Sequence, residues 1–398
     1  MIVTGPSATR YPWEPITIAA QLERTAAAHG DAPGIVFDDR RMTWREVRDA
    51  ARAMAKGLLA RGIGRGDHVA VWMPNHPEWL ITWFATCYTG SVVVPVNTRY
   101  KPEEVRYILR QSDARLLIMV DRFLGIDYAA MLRTLCPPRA DGSLDTSGFP
   151  ELGGVLVAGG PVPGTGPFDE LTASGADISD EQLDAHAGTV RWDDPTIVVY
   201  TSGTTGHPKG AVHSHAILRN ECSISEWLRI DAGSRILNHM PFFHVAGCMT
   251  GVLPGVITGA GLVLMDHWAP RRALELIERE QVTMLGGIPT HFIDLLSHPG
   301  LDRVDTSSLR TGWIGGASVP REVVLGAIER LGLAGLLPVY GMTETTSVTT
   351  FPRMDDPPEV VLSGRGVPVS DFEVRVVDGA APSSTRASRG RSRCAGTA

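Results

Sequence analysis

No two cysteines stand at Cys-x-x-Cys spacing: Cys87, Cys136, Cys222, Cys248 and Cys394 are scattered singly through 398 residues. Neither a zinc knuckle nor a disulfide framework is suggested, and a reducing cytoplasm is the expected setting. Also missing is any apolar stretch approaching the roughly 20 residues that span a bilayer. The segment Met1 to Trp13 lacks a basic start followed by an apolar core, so a soluble protein is expected. Basic residues are the minority, 37 Lys and Arg against 44 Asp and Glu, giving a net charge of -7. Nucleic acid is therefore not an expected partner, because phosphate backbones are bound by concentrated Lys and Arg. What is present, 43% hydrophobic and 20% charged residues, is the composition of a globular protein long enough for two to three domains.

After an N-terminal helix ending near His29, Thr43 and Glu46 have capping-box spacing, and Val47, Ala50, Met54, Leu58 and Leu59 repeat at helical intervals. A helix from about Thr43 to Arg61 is expected, ended by Gly62, Gly64 and Gly66. The apolar run Val69 to Met73 then reads as a buried strand leading into a helix from about Glu78. Strand Val92 to Val96, a helix opened by Pro102 and strand Leu116 to Val120 repeat the pattern. From Cys136 to Ala176 the chain is rich in Pro and Gly and reads as a surface excursion.

The β-branched run Thr196 to Tyr200 opens a second half with strands at Leu262 to Met265, Val282 to Leu285, Thr311 to Ile314 and Leu336 to Tyr340. Helices Pro270 to Glu280 and Pro320 to Arg330 separate them. The fold class is α/β, with two doubly wound, mostly parallel sheets flanked by helices and ligands expected at the carboxyl ends of the strands. The expected lobes are 1–190 and 191–378, the second carrying the phosphate loop. Residues 379–398 contain four Arg and no acid among Ala, Ser, Gly and Pro, a tail with no apolar pattern to fold on.

Directly after a strand comes Tyr200-Thr201-Ser202-Gly203-Thr204-Thr205-Gly206-His207-Pro208-Lys209-Gly210. Small residues let backbone N–H groups close on an anion, hydroxyls donate further hydrogen bonds, and Lys209 adds a point charge. It is not a Walker A loop, which needs GxxxxGK followed by Ser or Thr. A Ser/Thr/Gly-rich hairpin is the plain alternative for any shorter fragment. Over eleven residues it resembles the phosphate signature of the adenylate-forming superfamily, in its acyl-CoA synthetase branch. The resemblance runs from about Ile18 to Val377.

That resemblance implies ATP, Mg²⁺ and coenzyme A as ligands and a small carboxylic acid as substrate. Tyr340-Gly341-Met342-Thr343-Glu344 looks like the second nucleotide motif, with Tyr340 against adenine, Thr343 on the α-phosphate and Glu344 on Mg²⁺. Thr201 supplies a matching hydroxyl for the metal, since a hard cation takes carboxylate and hydroxyl oxygens beside phosphate. Gly315-Gly316-Ala317 is similar to the segment lying along adenine and the acyl pocket, and Gly287-Ile288 to the acyl wall. Glycine turns before the following helices explain both almost as well. Pro241-Phe242-Phe243-His244-Val245 resembles the segment that sets His244 beside the carboxylate, with no general-base duty because the acid is already ionised at neutral pH. Amino-acid-activating relatives carry an Asp here for the substrate ammonium. Its absence favours a fatty, aromatic or alicyclic acid, because a buried unpaired ammonium is costly.

His213 and His215 lack a third metal ligand, and Gly62 to Gly66 is a turn rather than a dinucleotide fingerprint. The family's Thr-Gly-Asp motif and small Lys-bearing C-terminal domain do not appear after Gly379. A reading-frame slip or truncation near Gly379 is the expected explanation, and a disordered extension the alternative. Ligase activity impaired by this loss is expected. A non-catalytic nucleotide- or acyl-binding remnant, or half of a split enzyme, is the competing reading. The resemblance also leaves room for a homodimer.

Overall fold

Buried aliphatic runs dictate the architecture, because a strand covered on both faces reads as continuously apolar. The computed structural model describes residues 2–201, 206–364, 366–369, 372–376 and 393–396. The chain divides into a first unit, residues 15–216 with 241–244, and a second, residues 1–14, 217–240 and 245–398. This division differs from the one expected at 190/191.

In the first unit, α1 (Ile18–His29), the hairpin β1 (Pro33–Phe37) and β2 (Arg40–Thr43), and α2 (Trp44–Ala60) come first. The capping box of α2 forms as its spacing requires: Glu46 N–H donates to Thr43 Oγ1 at 3.2 Å, and Thr43 N–H to Glu46 Oε2 at 2.7 Å. Then follow β3 (His68–Trp72), α3 (Pro77–Thr89), β4 (Val92–Pro95), α4 (Pro102–Gln111), β5 (Ala114–Val120) and α5 (Tyr128–Leu135). The unit continues with β6 (Gly154–Ala158), β7 (Gly166–Pro167), α6 (Asp169–Ser174), α7 (Asp180–Ala187), β8 (Pro195–Thr201) and β9 (Lys209–Ser214). The sheet order is β7-β6-β5-β3-β4-β8-β9. All neighbours are parallel except the closing pair β8 and β9. Because β8 pairs with β4, the strand carrying the phosphate loop completes the N-terminal sheet instead of opening a second lobe.

The Pro/Gly-rich stretch 136–176 is more than a surface excursion. Its β6 runs parallel to β5 and buries Val155, Leu156 and Val157, each worth about 1.5–3 kcal/mol of transfer free energy. Five residues between glycines and prolines are too short to show a period, so the strand was not legible.

The second unit contains α8 (Ile217–Trp227), β10 (Arg235–Asn238), a π-helical turn Ala246–Thr250, α9 (Leu253–Thr258), β11 (Gly261–Leu264) and α10 (Pro270–Glu280). It continues with β12 (Met284–Gly287), α11 (Pro289–Leu296), β13 (Thr311–Ile314), α12 (Arg321–Leu331) and β14 (Gly335–Pro338). The five strands are parallel in the order β14-β13-β12-β10-β11. Strand β10 escaped the sequence reading. Of the tail, residues 393–396 pair with 373–376; the rest of 377–398 lies outside the described residues.

His215 is fully buried just beyond β9, and its Nδ1 accepts from the Ile18 N–H at the start of α1, 3.2 Å away. Burial lowers its imidazole to about 4 from the ordinary 6.5. The folded state therefore binds fewer protons than the unfolded one below 6.5, so stability falls as pH drops from there toward 4. Urea midpoints should decline through that window. The decline should be shallower in His215→Gln, whose amide oxygen still accepts from Ile18 without titrating.

Candidate active site

In the first unit the phosphate hairpin stands on β8 and β9, with Thr201 opposite Lys209 and the Thr201 hydroxyl 3.4 Å from the Lys209 carbonyl oxygen. Ser202, Gly203, Thr204 and Thr205 lie outside the described residues. Gly206 has φ +104, a conformation that favours glycine. His207 stacks on Tyr107 of α4 with ring centroids 4.8 Å apart and planes 12° apart. Tyr200 hydrogen-bonds Gln111 at the end of the same helix. Lys209 is exposed and forms no ion pair with any described residue, so its ammonium is available to an anion.

The turn at 241–244 belongs to the same unit. Phe242 N–H donates to the Asn75 side chain at 2.8 Å, its ring lies 5.0 Å from that of Trp79, and His244 N–H closes the turn on the Pro241 carbonyl at 3.0 Å. His244 keeps an exposed side chain, while the protein around it removes enough solvent to hold its imidazole below the ordinary value. A neutral ring at pH 7 can donate one hydrogen bond to a carboxylate and accept one, in keeping with positioning.

In the second unit the remaining sequence-predicted residues gather at the carboxyl ends of β12, β13 and β14, with Val245 buried at the start of the π-helical turn. A Cβ on Gly287 would lie 2.9 Å from His291 Nδ1 and 3.4 Å from His239 Nε2. Gly316, at φ +76, places its Cβ position 3.2 Å from Ile288, so the segment Gly315–Ala317 and the segment Gly287–Ile288 meet. Beyond β14, Tyr340 pairs with Thr350 through backbone bonds of 2.9 and 3.0 Å and exposes 47% of its surface. Gly341 admits no side chain: a Cβ there would sit 1.5 Å from the Ser347 carbonyl oxygen. Met342 then caps a single 3₁₀ turn, Thr343–Thr345, in which Thr343 is buried and Glu344 exposed.

The Glu344 carboxylate has no basic partner among the described residues, and those residues hold no cluster of three or more His, Cys, Asp or Glu that would cage a metal. This fits Mg²⁺, which is held by one or two carboxylates together with substrate phosphates and water rather than by an all-protein cage. Thr201, the other expected ligand, belongs to the first unit.

The sequence is matched over residues 22–387 by the family model described as AMP-binding enzyme. The chain belongs to the AMP-binding enzyme family. Among curated members of the family, YngI of Bacillus subtilis, named as an acyl-CoA synthetase, is 37% identical over 371 residues, 91% of this chain and 67% of the relative. A methyl-dioxo-octahydroindenyl-propanoyl:CoA ligase of Mycobacterium tuberculosis is 36% identical over 367 residues, 91% of this chain and 69% of the relative. Among solved structures, the inhibitor-bound N-terminal domain of FACL13 from Mycobacterium tuberculosis superposes with a TM-score of 0.72 at 26% identity, covering 85% of this chain and 79% of that one. The chain thus spans about two thirds of the length of the curated relatives it matches.

Several residues outside the family motifs hold the second-unit site. Thr346 and Ser347, neither a glycine, have φ of +69° and +136°, strain of about 1–3 kcal/mol each. Asn220 Nδ2 donates to Thr346 Oγ1 at 2.7 Å, and Thr250 Oγ1 lies 2.9 Å from Ser347 Oγ and 3.3 Å from Glu221 Oε1. No sequence signal singled these out, because polar residues inside a helix are ordinarily solvated. Behind Gly287, His239 Nε2 lies 2.8 Å from His291 Nδ1, and the Trp268 ring is 4.4 Å from each imidazole.

Gly341→Ala is expected to lower the affinity for MgATP at least about 100-fold while costing a few degrees of melting temperature, since the segment must move bodily to admit the methyl group. Calorimetric titration with MgATP beside a thermal melt checks both.

Proposed function

We propose that this chain activates a carboxylic acid with ATP and passes the acyl group to coenzyme A, the acid being fatty, aromatic or alicyclic. The observation that carries this reading is the antiparallel hairpin that sets Thr201, at the end of β8, opposite Lys209, which forms no ion pair among the described residues. It leaves a cation and a hydroxyl on either side of the segment that carries Gly203 and Gly206.

In the first half-reaction a carboxylate oxygen attacks the α-phosphorus, the α–β phosphoanhydride bond breaks, and pyrophosphate leaves. In the second, the thiol sulfur attacks the acyl carbon, AMP leaves with the bonding electrons, and the thiol proton passes to solvent. Lys209 offsets charge growing on the phosphoryl oxygens, and the Thr343 hydroxyl donates to the α-phosphate. Bound Mg²⁺ would supply Lewis-acid charge at the phosphates, with Glu344 as a protein ligand. His244 orients the carboxylate. Tyr340 offers an exposed ring to adenine, and Gly315, Gly316 and Ala317 leave room beside it.

The relative that acts on a dioxo-octahydroindenyl propanoyl group supports the alicyclic arm of the acid class. The N-terminal domain of FACL13, solved with an inhibitor bound, supports a second reading, in which this chain is a nucleotide- or acyl-binding module.

Acid-dependent exchange of pyrophosphate into ATP, followed by coenzyme A ester formation with octanoate, benzoate and an alicyclic propanoate, separates the two. Exchange and ester formation are expected. MgATP binding without exchange would favour the binding module, and exchange with amino acids alone would overturn the acid class. Lys209→Ala should slow exchange by about 10²–10³-fold, the loss of one aimed charge at the reacting centre.

A further inference from the structure

Two consecutive residues of α8 reach the two consecutive left-handed residues of the turn that follows the nucleotide segment. Asn220 holds the Thr346 hydroxyl directly at 2.7 Å. Glu221 reaches Ser347 through Thr250, with oxygen separations of 3.3 and 2.9 Å. Ser347 in turn presses its carbonyl oxygen against the site where Gly341 lacks a side chain. Glu221 is 0% exposed, and its second oxygen, Oε2, meets no hydrogen-bonding partner among the described residues. A buried carboxyl so placed is held in its neutral form unless water enters, because nothing compensates its charge.

We propose that Asn220 and Glu221 are positioning residues for the segment Tyr340–Glu344, and that the Glu221–Thr250–Ser347 chain is a latch that holds only while Glu221 carries its proton. The proposal rests on reading that segment as nucleotide-binding. Thr250 has a single hydroxyl proton. When Glu221 is protonated, its O–H serves Thr250 and the Thr250 O–H serves Ser347. Once Glu221 is ionised, the Thr250 proton is drawn to the carboxylate, Ser347 must turn its own hydroxyl proton toward Thr250, and the charged Oε2 demands water, which the packed interior does not admit without opening.

The surroundings agree. Burial pushes the Glu221 carboxyl up to about 8, and no basic group acts on it among the described residues. The titratable neighbours are the thiols of Cys222 on the same helix and Cys248 on the π-helical turn, both raised by burial and further by Glu221 itself. Glu226, farther along α8, adds negative charge near Cys222. None of these supplies a counter-charge. By linkage, a carboxyl whose folded value of about 8 lies above its unfolded 4.5 stabilises the latched form in full below about 4.5, and that contribution is lost progressively as pH rises from there through about 8.

The test is hydrogen exchange of the full chain over residues 340–350 between about pH 6.5 and 9.5, normalised to intrinsic rates, with MgATP titrations on the same samples. Protection in the wild type should fall as pH rises from about 6.5 toward about 8 and level off above it, and Glu221→Gln, which donates to Thr250 without titrating, should keep it flat. Glu221→Leu and Thr250→Val should lose protection at every pH and weaken MgATP binding about tenfold or more, whereas Glu221→Gln should stay within about twofold of wild type. A flat wild-type profile, or wild-type protection in both Glu221→Leu and Thr250→Val, overturns the latch. Failure of the wild type to bind MgATP overturns the nucleotide reading, and the exchange profiles decide the latch in that case as well.

Discussion

The carbonyl of Ser347 runs so close to Gly341 that no side chain fits between them, and much of the second unit's site follows from that contact. For the chain to return so tightly after Glu344 it must reverse within a few residues, which the 3₁₀ turn Thr343–Thr345 and two left-handed residues accomplish. Tyr340 can then pair with Thr350 and remain exposed. The same reversal buries Thr343 and turns Glu344 outward, so one short loop presents a hydroxyl and a carboxylate from fixed backbone.

Parallel sheets explain why the motifs lie where they do. Every crossover in a parallel sheet returns the chain to the same edge, so successive strands end side by side and their following loops collect there. In the second unit, β12, β13 and β14 each end in such a loop: Gly287–Ile288, Gly315–Ala317 and Tyr340–Glu344. Small residues recur because adjacent loops crowd one another, as the approach of Gly316 to Ile288 shows. The first unit differs by one step. After β8 the chain turns straight back as β9, and an antiparallel hairpin at the sheet edge frames the phosphate loop on both limbs.

Signals confined to a few neighbouring residues were legible in the sequence. The capping box at Thr43 and Glu46, the run Leu116 to Val120 and the helix Pro270–Glu280 each declare themselves within one element and form as read. The hairpin that pairs Thr201 with Lys209 and the short loop after β14 rest on contiguous motifs as well, and both follow strands as the sequence reading expected. Strand β6 was not legible, because a five-residue strand between glycines and prolines carries no period; it is identified by its partners β5 and β7. Asn220, Glu221 and Thr250 were not, because their meaning depends on Thr346 and Ser347, about a hundred residues away. The pairing of His239 with His291 is hidden likewise, since 52 residues separate them.

The energetics of the turn are close to balance. Two non-glycine residues in left-handed conformations cost roughly 2–6 kcal/mol together. The two side-chain bonds that grip them return roughly 1–3 kcal/mol net, at the usual 0.5–1.5 each. Terms of similar size leave the loop among the less stable parts of the unit, where segments that must admit a ligand are ordinarily found. The helix behind it is different in kind: Leu218, Ser223 and Ile224 of α8 are buried with Asn220 and Glu221, so these two residues sit on a packed element. A strained loop held from a packed helix by a few polar bonds can be reset by changing one of those bonds. The buried carboxyl of Glu221 is the one member of the set whose bonding changes with a single proton.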